Sequence, residues 1–275
     1  MSAWKVLLTD GLEENGKEIL RGMAEVVDQP GISADELLTV VGEYDALIVR
    51  GRTKVTAAVL EAGKNLKVVG RAGVGVDNID LAAARAHGVT VVNSPLATTV
   101  AVAELTLSLM LSVVREIPRA DASMKSGKWL KKEFEGHELF GKTLGVMGFG
   151  RIGAAVAERA KAFGMKILAF DPLVSAEDIV KRGGEAVSKE ELFAKADMIT
   201  MHMPLTADSK NLLNAEAFGK MKDGVYIVCA ARGGVIDEDA LLDAINRSGR
   251  HLLALINDVL EISRIEAGRT TLRAR

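Results

Sequence analysis

Two apolar runs joined through a glycine-rich turn constrain the fold of this chain more than any other feature. Thr143-Leu144-Gly145-Val146-Met147 reads as a short buried strand, and Gly148-Phe149-Gly150-Arg151-Ile152-Gly153 follows it directly. Ala154 to Ala162 is rich in alanine, with Val156, Ala157 and Ala160 at helical spacing. A second apolar run, Met165 to Phe170, ends in Asp171. Strand, glycine turn, helix, strand and acid, in that order, make a β-α-β unit of the dinucleotide-binding type. Gly148 permits the tight turn, Gly150 lets the backbone approach a pyrophosphate, and Gly153 allows the helix to pack closely on the strand. The helix start then offers free N–H groups and a positive dipole end to the phosphates. A lone GxGxxG is often only a turn; here the flanking elements argue for the cofactor.

The same alternation runs through the first part of the chain. Lys5 to Leu8 reads as a strand and Glu13 to Met23 as a helix. Further strands are expected at Ala46 to Val49, Lys67 to Gly70 and Val89 to Val92. Continuous apolar runs of this kind suit parallel strands buried on both faces. The loop Arg71-Ala72-Gly73-Val74-Gly75-Val76-Asp77-Asn78 falls at a strand's carboxyl end, where open α/β sheets bind ligands. Composition alone would equally fit a structural turn. The apolar helix around Val102 to Val114 links to a second domain, and Ser126 to Gly141 is polar and connecting. Beyond the glycine turn, Asp197 to His202 and Val225 to Cys229 are strand-like, and Glu238 to Arg247 is helical.

With 275 residues the chain has room for two domains. A net charge of −2 argues against a dedicated nucleic-acid surface or an anionic-membrane binder. The lone Cys229 excludes an internal disulfide, and its apolar run suggests a buried structural thiol rather than a nucleophile. The N-terminus lacks the regions of a signal peptide. The longest apolar stretch, Val100 to Val114, is broken by Glu104 and is shorter than the roughly 20 residues that a bilayer needs. A buried helix and a soluble cytoplasmic protein are expected, with no metal site.

Taken together, several ordered motifs resemble the D-isomer-specific 2-hydroxyacid dehydrogenases, and among them the members that oxidise 3-phosphoglycerate in serine biosynthesis. They include Ile48-Val49-Arg50 with Thr53-Lys54-Val55-Thr56, and Val69 to Asp80 with its glycine loop. Val102-Ala103-Glu104, Gly127-Lys128-Trp129, Gly141 to Gly145, the glycine turn and Ala231 to Glu238 continue the likeness. It runs collinearly from about Trp4 to Gly249.

The resemblance implies an α/β fold of two Rossmann-like parallel-sheet domains, a flavodoxin-like one followed by an NAD-binding one. Residues 1–97 would be the substrate-binding lid, 98–249 an incomplete nucleotide domain, and 250–275 a separate helical tail. Arg232 would grip the substrate carboxylate and the reacting carbonyl, a task suited to a guanidinium that is always charged and can bind in two places at once. Gly73, Val74 and Gly75 would hold the same carboxylate through their backbone. Arg50 and Arg71 would be candidates for a substrate phosphate, although Arg50 read alone could equally be a surface charge. Gly148, Gly150, Arg151, Ile152 and Gly153 would hold the pyrophosphate, and Asp171 the adenosine ribose. A carboxylate there would repel a 2′-phosphate, which favours NAD over NADP. Met203, Ala230, Ala231 and Arg232 would line the rest of the cofactor. The partners implied are a small 2-hydroxy or 2-keto acid and a second copy of the chain.

The likeness departs at three places. Thr98 stands where many members carry Asn. After Arg232 there is neither a Glu-Pro stretch nor a Pro-His-x-Gly stretch, the family's sources of its catalytic Glu and His. The only later histidine, His251, lies in an apolar helical run, and Asp258 to Glu261 is only a displaced half-match to the last strand. Residues Ser248 to Arg269 instead resemble the second dimerisation helix of sensor histidine kinases, with Leu252, Leu255, Ile256, Val259, Ile262 and Ile265 on one face. Three readings follow: an NAD-binding protein with an incomplete catalytic site, an active 2-hydroxyacid oxidoreductase, or a module that self-associates through its terminal helix.

Overall fold

The computed structural model describes residues 4–247, and the tail expected to be helical, 250–275, lies outside them. The chain divides after Ala101 into two units, each with its own sheet.

In the first unit the valine and leucine runs form β1 (Trp4–Leu8), β2 (Ala24–Asp28), β3 (Ala46–Val49), β4 (Val68–Arg71) and β5 (Thr90–Asn93). Helices α1 (Glu14–Arg21), α2 (Ala34–Val40), α3 (Ala57–Ala62) and α4 (Leu81–Ala86) join them. All pairings are parallel, in the order β2-β1-β3-β4-β5. Chain direction across the sheet therefore reverses between β1 and β3, and ligands of such sheets bind outside the strand ends at that reversal. Leu7, Leu47, Val49 and Val69 are fully buried at its centre, each stabilising the fold by about 1.5–3 kcal/mol. Side chains start three of the helices: Ser33, in a reciprocal box with Glu36, then Thr56 and Asp80.

Helix α5 (Thr99–Val114) crosses the division, and α6 (Ile117–Lys125) follows. The second unit then lays down β6 (Thr143–Met147), α7 (Arg151–Ala162), β7 (Lys166–Phe170), α8 (Ala176–Lys181), β8 (Glu185–Ala186), α9 (Lys189–Lys195), β9 (Met198–Met201), α10 (Ala215–Gly219) and β10 (Tyr226–Cys229). Residues 238–247 are helical as well. This sheet is also wholly parallel, in the order β10-β9-β6-β7-β8. One face of β6 packs on Val156, Ala157 and Ala160 of α7 together with Leu107 and Met110 of α5. The other face meets Leu192 and Phe193 of α9. Gly145 makes the second contact possible, since a Cβ there would lie 2.5 Å from Leu192 Cδ2.

The α/β expectation holds for both sheets, with two corrections in detail. Cys229 is exposed rather than buried, because it ends β10, the outermost strand of its sheet among the described residues. Helix α5 is only half buried: Ala103, Leu107 and Met110 are covered while Leu105, Leu109 and Val113 face outward. It is apolar all round, so its sequence pattern does not reveal which side a single copy covers. Among the described residues, no helix is long and apolar enough to cross a membrane.

Candidate functional site

The row of strands in the second sheet gathers the nucleotide residues. Because β10, β9, β6 and β7 are neighbours in that order, their carboxyl ends line up as the Arg232 loop, Met203, the glycine turn and Asp171. At the turn, Gly148 adopts a left-handed φ of 87°. A Cβ on it would also lie 2.8 Å from the backbone carbonyl of His202, so β9 closes on the turn from the other side. Gly153 sits in the first turn of α7, where a Cβ would overlap the carbonyl oxygen of Gly148. At Gly150, by contrast, nothing lies within 4 Å of where a Cβ would be.

Helices α8, α9 and α10 are each capped by a side chain, from Ser175, Ser188 and Asn214. Helix α7 starts on Gly150 with no side-chain cap. Its first N–H groups and dipole are therefore available to an anion, and this fits a dinucleotide pyrophosphate. Phe149 is completely buried, and its backbone is held at both ends. Its N–H donates to Asp171 Oδ2 at 2.7 Å, and its carbonyl accepts from Arg182 Nη1 at 3.2 Å. Asp171 Oδ1 accepts from the Leu173 N–H at 2.8 Å.

Sequence reasoning passed over His202. Its Nε2 lies 2.9 Å from Thr200 Oγ1, while its buried Nδ1 has no hydrogen-bond partner. Burial pushes its pKa down to about 4, so the ring is neutral at pH 7. Beyond β10, Arg232 Nη1 donates to the carbonyl of Ala231 at 3.0 Å. Ala230, Ala231, Arg232, Gly233 and Glu238 line a cavity of about 450 Å³ there.

In the first unit, the acid-binding candidates also cluster at strand ends. Arg71 ends β4, and its guanidinium lies where a Cβ of Gly73 would stand. It reaches toward the next loop, 3.9 Å from the position of a Gly51 Cβ. The backbone of the glycine loop is fixed by Ser94 N–H, which donates to the Gly73 carbonyl at 2.9 Å, and by Asn93 Nδ2, which donates to the Val74 carbonyl. Arg50 follows β3 directly and is exposed. Asp10, which holds the loop carrying Arg50, lies outside every motif of the sequence, whereas Asn78, which holds it from the other side, closes the glycine-loop motif with nothing local to foretell its partners.

Comparison with known proteins gives a consistent picture. The family profile described as D-isomer specific 2-hydroxyacid dehydrogenase, NAD binding domain, matches residues 107–274. That span takes in residues 250–274, so it lends no support to a kinase origin for the tail. The chain is 48% identical over 241 residues to a D-3-phosphoglycerate dehydrogenase of Synechocystis, covering 88% of this chain and 44% of that protein. It is 47% identical over 246 residues to a hydroxypyruvate reductase of Thermotoga maritima, covering 89% and 79%. A solved D-lactate dehydrogenase of Aquifex aeolicus, complexed with NAD and lactic acid, superposes with a TM-score of 0.77 at 33% identity, over 88% of this chain and 74% of that one. The chain spans about half the length of the D-3-phosphoglycerate dehydrogenases it matches, 44% and 49% for the Synechocystis and Methanocaldococcus jannaschii proteins.

Proposed function

Because this chain belongs to the D-isomer-specific 2-hydroxyacid dehydrogenase family, we propose that its 275 residues bind NAD and a small 2-hydroxy or 2-keto acid but interconvert them slowly. The observation that carries the cofactor reading is the uncapped start of α7 beside a glycine turn bonded to Asp171. Gly148, Gly150, Arg151, Ile152 and Gly153 receive the pyrophosphate, and Asp171 receives the ribose hydroxyls. Met203, Ala230 and Ala231 line the remainder.

The nicotinamide supplies or takes a hydride when bound. In the second unit Arg232 suits the orienting of an acid and the drawing of charge toward a reacting carbonyl oxygen, and in the first unit the backbone of Gly73, Val74 and Gly75 suits a carboxylate. Arg50 and Arg71 suit a second anionic end, which favours a phosphorylated acid such as 3-phosphoglycerate. The reaction also needs a proton donor, and no Glu-Pro or Pro-His-x-Gly stretch follows Arg232 in this sequence. His202 is a poor substitute, since a ring that is neutral above about pH 4 gives up no proton readily at pH 7. Loss of general acid/base catalysis lowers a rate by about 10²–10⁴-fold.

We further propose that the chain acts as a homodimer, joined through the outward face of α5. An antiparallel pair of these helices centred on Leu109 would set Leu105 against Val113 of the second copy. A fluorescence titration with NADH and NADPH tests the cofactor reading. Preference for NADH is expected, and equal or tighter NADPH binding would remove the role given to Asp171.

A further inference from the structure

The loop that presents Arg50 is gripped from both sides by side chains of other segments. Asp10, just beyond β1, is almost wholly buried, with its side chain 3% exposed. Its Oδ2 accepts the backbone N–H groups of Arg50 at 2.7 Å, Arg52 at 3.1 Å and Thr53 at 3.0 Å. Its Oδ1 accepts from the Thr53 hydroxyl. On the other side, Asn78 Nδ2 donates to the Arg50 carbonyl at 3.1 Å and to the Thr53 carbonyl at 2.7 Å. Both backbone groups of Arg50 are thus tied to side chains.

Asn78 belongs to the loop that also contains Gly73, Val74 and Gly75. The Val55 N–H donates to the Asn78 carbonyl at 2.8 Å, and the Asp80 N–H to the Val55 carbonyl at 2.9 Å. The two loops are therefore one hydrogen-bonded body, with the guanidinium of Arg71 lying over one of them and reaching toward the other. More bonds converge on the backbone of 50–53 than a surface turn needs.

We propose that Asp10 and Asn78 are positioning residues that fix the distance between Arg50 and the glycine loop, and so set which acids with two anionic ends the chain accepts. This rests on the reading that Arg50 meets a substrate phosphate and Gly73–Gly75 a carboxylate. Neither Asp10 nor Asn78 touches the acid. A loosened Arg50 loop leaves the carboxylate contact intact and weakens only the far one.

The test compares affinities of the full chain, with NADH present, for 3-phosphoglycerate and for glycerate, which lacks the phosphate. Arg50→Ala should lower the ratio of the two affinities by about tenfold or more. Asn78→Ala should lower it by at least about fivefold with glycerate binding unchanged, and should add nothing further in the Arg50→Ala background. A purely structural role would weaken both acids alike and show no such coupling. If Asn78→Ala does not fold, Asn78→Ser and Asp10→Asn are read in the same way. If Arg50→Ala collapses the ratio while the Asn78 and Asp10 variants keep it, the positioning role is wrong and the Arg50 reading stands. If Arg50→Ala itself leaves the ratio unchanged, the Arg50 reading fails and the positioning role falls with it.

Discussion

The carboxylate of Asp171 accepts the backbone N–H of Phe149 at 2.7 Å, so the acid at the end of β7 is bonded into the glycine turn across from it. A carboxylate has about four acceptor positions, and ribose hydroxyls can share it with the peptide. On the proposal that Asp171 also receives the ribose, Asp171→Ala removes both contributions. It should lower the unfolding free energy by about 1–3 kcal/mol, read from urea denaturation, because the Phe149 N–H is left unpaired. Asp171→Asn keeps an acceptor and should cost less. Both variants should bring NADPH affinity closer to that of NADH, since the charge opposing a 2′-phosphate is gone.

Two glycines only three residues apart should respond in opposite ways. Gly150 has open space where a Cβ would go and a φ of −69°, so Gly150→Val should lower thermal stability only modestly, by the loss of a favourable N-cap residue. Its side chain would occupy the approach of the pyrophosphate, and NADH binding should fall at least about tenfold. Gly153→Ala should cost about 3 kcal/mol or more, because the methyl would overlap the Gly148 carbonyl inside a packed helix–strand contact. Calorimetry and a binding titration on both proteins separate the two effects.

Acid should weaken the second unit well above the carboxylate range. The folded pKa of His202, about 4, lies below its ordinary value of 6.5. Between those values the unfolded chain binds more protons, so stability rises with pH there and falls on acidification from 6.5 toward 4. The loss reaches at most about 3 kcal/mol. His202→Gln should flatten the slope in that window. The first unit differs: burial raises the pKa of Asp10, but bonds from Thr53 and Arg50 outweigh this and hold it below 3.8. Its stabilising contribution is present above the ordinary carboxylate value and is lost only as the pH falls through that lower one.

Self-association should run through α5. A single charge placed in its outward apolar face, Leu109→Lys, should convert a dimer to a monomer by light scattering with little change in helix content. A dimer that survives the substitution would assign the interface elsewhere.

Much of this was legible because both sheets are parallel. Buried strands such as Ala46–Val49 and Thr143–Met147 are short unbroken apolar runs, and the glycine turn announces the helix after it. Edge strands gave weaker signals. β2 carries Glu25 and ends in Asp28, and β8 has only two residues, so neither stands out from a loop. Helices α8 and α9 are six and seven residues long, too short for periodicity to mark, although Ser175 and Ser188 cap them. The bonds made by Asp10 and Asn78 are not legible for a different reason. Their partners lie 40 to 43 and 25 to 28 residues away, and nothing local in the sequence foretells such bonds.

The most direct measurement is reduction of the 2-keto acid of 3-phosphoglycerate by saturating NADH, with the protein shown by titration to be fully loaded. On the proposal that Arg232 holds the acid, and with no Glu-Pro or Pro-His-x-Gly stretch after it to supply the proton, cofactor binding with turnover about 10²–10⁴-fold below that of an active relative is expected. Turnover within tenfold of that relative would contradict the account and would mean that a proton donor acts from a position not assigned above.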